Sequence, residues 1–160
     1  MTTPDTLDLE ARAHSEHAQE LRLWLRLLAC SQLIEKRVRT QLRERFDTTL
    51  PRFDLMAQLE RHPEGLKMKE LSQRLMVTGG NVTGITDQLV AEGLVERMGV
   101  EGDRRAFLVR LTPEGRETFE RMAVEHEQWI VQAFEGLSPR ELDQLHKLLG
   151  KVKQHQLDLE

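Results

Sequence analysis

The surface residues of this 160-residue chain best suited to chemistry are two adjacent arginines, Arg104 and Arg105, in the stretch RMGVEGDRRAFLVRLTPEG (97–115). Gly102 and Asp103 read as turn residues between two short apolar runs. A turn needs glycine and aspartate; it has no use for a guanidinium pair. Arginine offers a planar fork of donors that suits phosphate and base edges. The pair therefore points to an anionic partner, with a solvated, charged loop as the plain alternative. No catalytic set accompanies it. There is no glycine-rich phosphate loop, no nucleophile elbow and no His-Glu metal motif. Asp87 and Glu92 read as helix-surface carboxylates without a partner motif. Neither an enzymatic reaction nor a cofactor is expected.

The remaining reactive side chains are sparse. His14 and His17 stand three apart on a possible helix, but in a polar tail; His62, His126, His146 and His155 are scattered. No metal site is expected from them. The single cysteine, Cys30, permits no intrachain disulfide and no cysteine-rich zinc site. It lies beside an apolar stripe and reads as a small packed residue, with a redox-sensing thiol as the alternative.

Composition limits the partners. Charged residues make up 31% of the chain and hydrophobic residues 39%, which suits a soluble globular protein. No apolar run approaches the roughly 20 residues of a membrane helix. Met1 to Glu20 is acidic and polar, without the apolar core of a signal peptide, so a cytoplasmic protein without a membrane partner is expected. The formal net charge is −4, but it is unevenly spread. Residues 1–20 carry five acids against Arg12; residues 21–46 carry seven bases against Glu35 and Glu44. An acidic average hides basic surfaces.

The elements that must position the arginines follow from periodicity. From about Ala13 to Phe46, Trp24, Leu27, Leu28, Ser31, Ile34, Val38, Leu42 and Phe46 recur three and four apart, which predicts one long helix with an apolar stripe. Such a helix needs a partner, and a second subunit would supply one. Pro51 opens a second helix carrying Phe53, Leu55, Met56 and Leu59, which His62 to Gly65 ends. Residues 66–77 predict a short helix with Leu71, Leu75 and Met76 inward. Residues 78–95 predict the next, with Thr78 as N-cap, Val82, Ile85 and Leu89 inward, and Gly93 as a left-handed C-cap. Two strands follow, 94–98 and 106–111, joined by a seven-residue connection, Gly99 to Arg105, long enough to protrude. Thr112-Pro113 starts a helix to about Glu135. Ser138-Pro139-Arg140-Glu141 is a capping box for the last helix, with Leu142, Leu145, Leu148, Leu149 and Val152 on one face.

Two short helices, a turn, a third helix and a strand pair form a winged helix-turn-helix. Its third helix presents Gly79, Gly80, Thr83, Gly84 and Asp87, with Asn81 at the margin, and can enter a DNA major groove. The segment LKMKELSQRLMVTGGNVTGITDQLVAEGLVERMGVEGDRRAFLVRLTPEG (66–115) resembles the DNA-binding core of the MarR family, the multiple antibiotic resistance regulators. The most specific part is DRR (103–105) followed by LTPEG (111–115); with the flanking helices the resemblance covers about residues 18–157. It implies a mainly α fold with a two-stranded β-wing. N- and C-terminal dimerisation helices would occupy 18–50 and 113–157, the winged lobe 51–112, and a polar tail 1–17. It implies a homodimer on a pseudo-palindromic double-stranded operator, a repressor or an activator with repression expected, released by a small effector.

Carried over residue by residue, Asp103 braces the wing, Arg105 enters the minor groove, and Arg104 lies nearby. A narrow minor groove focuses negative potential that suits arginine. The expected DNA-contacting set is Thr78, Gly79, Gly80, Asn81, Thr83, Gln88, Asp103, Arg104 and Arg105. Many family members carry lysine or arginine at the positions of Gly79, Gly84 or Gln88; here two of the three are glycine, and Gly80 adds another. An interior helical glycine costs about 1 kcal/mol relative to alanine. These glycines therefore read either as close backbone approach to DNA or as tight packing against a neighbouring helix.

An effector pocket is expected from Trp24, Leu28, Phe53, Met56 and Trp129, with Arg22, Arg26 and Arg39 for an anionic aromatic or acyl-coenzyme-A ligand. Core packing and intersubunit charge are the alternatives. Some similar regulators sense peroxides, but their cysteine would fall near Leu25, and its assisting tyrosines are absent here. Two other functions stay open: a cysteine-based oxidative-stress regulator, and a winged-helix protein-interaction module that never meets DNA.

Overall fold

The computed structural model of the chain describes residues 18–75 and 81–160. The first helix, α1, spans Ala18–Phe46 and buries Ala29, Val38 and Leu42. Of the eight-residue stripe, only Val38 and Leu42 are buried; Trp24, near the start, is 54% exposed. Cys30 is exposed rather than packed, because its neighbour Ala29 takes the buried position at that level and the next residue is about 100° further round the helix. Asp47 ends α1 with φ 48°, and its N–H donates to the Arg43 carbonyl at 3.1 Å. An aspartate thus fills a left-handed cap more often taken by glycine.

The second helix, α2 (Leu50–Glu60), is capped by Thr49, whose hydroxyl accepts the Arg52 N–H, and has Pro51 in its first turn. It buries Phe53, Leu55, Met56 and Leu59. Next comes a strand that the sequence does not predict: β1 is Leu66–Lys67. The expected helix over 66–77 is correspondingly shorter, with α3 at Met68–Arg74. Two residues are too few to show alternation, and their strand pairing is with residues more than forty positions away. In α4 (Val82–Ala91), Val82, Thr86 and Leu89 are buried.

The helix α4 ends on Gly93, at φ +76°. The Gly93 N–H donates to the Val90 carbonyl and the Leu94 N–H to that of Leu89, both at 3.0 Å. This is the Schellman pattern, and it satisfies two otherwise orphaned carbonyls. The chain then enters β2 (Val95–Val100) and returns as β3 (Asp103–Leu111). The sheet has three antiparallel strands in the order β1-β3-β2, not the two expected.

The seven-residue connection is also corrected. Only Glu101 and Gly102 lie between the strands, and Gly102 has φ +85°. A glycine in the left-handed region lets a hairpin close in two residues. The extra length sits in β3. Val100 pairs with Asp103 but Gly99 pairs with Phe107. Residues 104–106 therefore face no partner on β2: the arginine pair rides on a bulge.

Two helices complete the chain, α5 (Pro113–Ala133) and α6 (Pro139–Asp158). Ser138 and Glu141 cap α6 reciprocally, at 2.8 and 3.2 Å. The chain divides into two compact units, Met1–Val124 and Glu125–Glu160. The first holds a core of Leu42, Leu55, Met56, Leu59, Leu71, Leu89, Val95 and Val109, none more than 2% exposed. In the second, α6 buries no residue, and Leu142, Leu145, Leu148, Leu149 and Val152 remain exposed along it. No helix among the described residues is long and apolar enough to cross a membrane.

One junction fixes the start of α5 against the end of α4. The Thr112 N–H donates to the Leu94 carbonyl at 3.1 Å. The Thr112 hydroxyl donates to the Gly93 carbonyl at 2.7 Å and accepts the Gly115 N–H at 2.9 Å. A Cβ built on Gly115 would stand 1.8 Å from the Leu94 carbonyl oxygen. That obstacle is backbone, which cannot swing away. The glycine of LTPEG is thus required by packing. Gly115→Ala should destabilise the protein by about 1–3 kcal/mol, as overpacking does; a urea midpoint equal to that of the wild type would refute the close-packing account.

Candidate nucleic-acid interface

The exposed face of α4 is built from its buried one. Val82, Thr86 and Leu89 face the core at spacings of four and three. Thr86 is completely buried, its hydroxyl donating to the Val82 carbonyl at 2.7 Å. Polarity hid it from the apolar pattern, although its spacing fits. That orientation leaves Asn81, Thr83, Asp87 and Gln88 exposed. Thr78, Gly79 and Gly80 lie outside the described residues. The helix begins at Val82 rather than 78, and its N-cap is Asn81, whose side-chain oxygen accepts the Gly84 N–H at 3.2 Å.

This cap accounts for Gly84. A Cβ there would lie 2.1 Å from the Asn81 Oδ1 and 2.7 Å from its Cγ. The glycine makes room for the capping carboxamide, a role distinct from approach to DNA and from packing against another helix.

The helix α4 carries little charge of its own. Asp87 is the only charged residue between Val82 and Ala91. It pairs with Arg97 of β2, whose guanidinium also stands 5.5 Å from the centre of the Phe107 ring on β3. At the other end, the C-cap Glu92 pairs with Arg52 of α2. Arg52 also donates to Gln88 Oε1 at 3.4 Å and to the Thr48 hydroxyl at 3.1 Å. The two carboxylates that lack a partner motif in sequence are therefore each paired in space. Arg52 and Arg97 were not legible as site residues, because each partnership joins separate elements.

The wing tip differs. Asp103 Oδ1 accepts the backbone N–H of Arg105 at 3.0 Å, which holds the bulge. Arg104 and Arg105 are both exposed. Among the described residues neither guanidinium has an ion pair. Two cations lie beside each other, uncompensated, on a protruding ribbon.

The residues expected to form an effector pocket are not gathered into one cavity. Arg22 and Arg26 border a shallow hollow along α1, and Arg39 another, where it bonds Glu35 at 2.5 Å. Trp24 is exposed and Leu28 half-buried. Phe53 is in the core, its ring 5.3 Å from that of Phe119. Trp129 is buried, with the His126 ring edge-on at 6.2 Å. The hollow at Arg22 and Arg26 measures about 700 Å³, and Met56 reaches a separate cavity of about 460 Å³, which Asp47, Arg52, Glu92, Leu94, Arg121 and Met122 also line. Near Arg39, burial and the like charge of Glu35 raise the Asp54 pKa, and Arg39 partly offsets them. Among the described residues no group of three or more metal-ligating side chains occurs.

Comparison with known proteins agrees with this architecture. A family model described as MarR family matches residues 46–106. A MarR family transcriptional regulator from Silicibacter pomeroyi has a solved structure that is 30% identical, covers 89% of this chain and 99% of its own, and superposes with a TM-score of 0.75. FabT of Streptococcus pneumoniae, solved in complex with DNA, is 26% identical over 88% of this chain and 99% of its own, with a TM-score of 0.72. The HTH-type transcriptional regulator YkoM of Bacillus subtilis is 37% identical over 56% of this chain and 58% of its own. The chain spans about three fifths of the length of this and other curated relatives. These relatives are named as transcriptional regulators, not enzymes.

The shared space of Asn81 and Gly84 gives a test with a change of sign. Gly84→Ala should destabilise the wild type by displacing the cap, which is worth about 1 kcal/mol. In an Asn81→Ala background the same change should stabilise α4 by up to about 1 kcal/mol, the ordinary gain of alanine over glycine. Chemical denaturation of the four proteins reads both; the same sign in both backgrounds would disprove the coupling.

Proposed function

The chain belongs to the MarR family, and from that premise we propose that it is a homodimeric winged-helix transcriptional repressor, released from its operator by a small anionic effector. The observation that carries the reading is the uncompensated pair Arg104–Arg105 on the wing, beside a helix whose own charge is neutralised by its neighbours. Each α4 enters a major groove, presenting Asn81 and Thr83, with Gln88 one turn further along. Each wing places Arg105 in the flanking minor groove, where a narrow, negative channel favours a guanidinium. FabT, solved in complex with DNA, supports this use of the fold. Two-fold symmetry calls for half-sites about 10 bp apart. The exposed leucines of α6, three and four residues apart, support a second copy as their cover. For the effector, the cavity at Arg52 and Arg121 sets two cations and the carboxylates of Asp47 and Glu92 beside the apolar surface of Met56, Leu94 and Met122.

Three experiments test this. Arg105→Ala should abolish operator binding in a gel shift while the dimer stays folded; unchanged affinity would overturn the wing's role. If wild-type protein protects no DNA upstream of its own gene, the interaction-module reading replaces this one. Leu148→Glu with Val152→Glu should convert the protein to an 18.6 kDa monomer by light scattering. Retention of the dimer would move the interface elsewhere.

A further inference from the structure

Strand register puts Arg97 and Phe107 on one face of the hairpin. Val95 pairs with Leu111, Arg97 with Val109 and Gly99 with Phe107, and alternate residues of a strand share a face. Val95, Val109 and Leu111 are buried, so this is the inner face, continued from the core toward the wing tip. The opposite face carries the cross-strand pair Glu96–Arg110, at 2.5 Å. Arg97 and Phe107 are diagonal neighbours, at a separation that long and aromatic side chains span.

Gly99, directly opposite Phe107, has no side chain to set against the ring. The Arg97 guanidinium stands there instead, its central carbon 5.5 Å from the ring centre, an arrangement that suits a planar cation. The same guanidinium pairs with Asp87 on the exposed side of α4. Among the described residues no other ion pair links α4 to the hairpin. Phe107 is also where β3 regains its partner, after residues 104–106 have stood out of register. The bulge that carries Arg104 and Arg105 is thus rooted on the stacked ring. Contacts this exposed add little stability. What they supply is the angle between wing and helix.

We propose that Phe107 is a positioning residue for the wing: stacked on Arg97, it fixes the wing arginines relative to α4, so that a half-site and the DNA flanking it are gripped together. This rests on the DNA-binding reading above. A wing held at one angle meets a narrow, A·T-rich minor groove at one distance from the half-site. Without the stack, α4 stays seated and the hairpin swings on its root.

The test uses the full-length protein as wild type, Phe107→Leu, Phe107→Tyr, Arg97→Gln and the double variant Arg97→Gln with Phe107→Leu. Sequences are selected from random duplex DNA, affinities are measured on the selected site, and melting temperature is followed in parallel. Wild type should select a half-site with A·T-rich flanks. Phe107→Leu keeps apolar bulk but loses the aromatic face. It should retain the half-site preference, lose the flank preference and bind roughly fivefold more weakly, as loss of a cation–π contact predicts. Phe107→Tyr keeps the face and should match wild type in both. Arg97→Gln should lose the same flank preference, and the double variant should bind no more weakly than Arg97→Gln, because both changes remove one contact. An unchanged flank preference in Phe107→Leu, whatever its melting temperature, would leave Phe107 a structural role and overturn the proposal. So would loss of the flank preference in Phe107→Tyr, losses that multiply in the double variant, or a wild type that selects half-sites without any flank preference. Failure of the wild type to select any DNA sequence would sink the DNA-binding reading itself.

Discussion

The Leu94 peptide is the point on which three elements converge. Its N–H closes the end of α4 on the Leu89 carbonyl, and its carbonyl accepts the Thr112 N–H where β3 gives way to α5. Gly115 fits against that carbonyl because it has no side chain. Any shift there would turn the recognition helix, the root of the wing and the start of α5 together. The hydrogen bonds are individually modest, near 1 kcal/mol net each. Their effect is geometric: they leave one arrangement in which every polar group at the junction has a partner.

From that junction outward, electrostatics take over. The recognition helix carries one acid and no base between Val82 and Ala91. Arg97 and Arg52, both from neighbouring elements, neutralise Asp87 and Glu92. Pairs whose carboxylates stay about half exposed add little stability, so their value lies in direction. They tie α4 to the hairpin on one side and to α2 on the other. Of the four arginines on the β2–β3 hairpin, Arg97 and Arg110 are in ion pairs and, among the described residues, Arg104 and Arg105 are not.

Much of this was legible in the sequence where a rule is local. The positions of α2, the left-handed glycine at 93, the reciprocal Ser138–Glu141 cap and the outward arginine pair follow from spacing and residue type. The errors lie where a distant partner decides. Leu66–Lys67 are strand because Val109 and Leu108 pair with them, and nothing within the short segment says so. Thr78 and Asn81 are both plausible caps on composition; the helix that begins at Val82 has Asn81 as its cap, with Gly84 giving its carboxamide space. The pairing of Arg52 with Glu92, forty residues apart, leaves no periodic trace. The effector residues fared worst, because aromatic and arginine content along a helix does not specify which side chains share a cavity.

The wing has its spare residues on one strand only. Beyond Gly99 and Phe107 the register of β2 and β3 runs unbroken to Val95 and Leu111, while residues 104–106 sit outside it. Length can therefore be gained or lost at the bulge without re-registering the sheet or disturbing Leu94. Length of the wing and integrity of the fold are separately variable in this architecture. A lineage carrying it could lengthen or shorten the wing by insertion or deletion alone, with the core left as it stands.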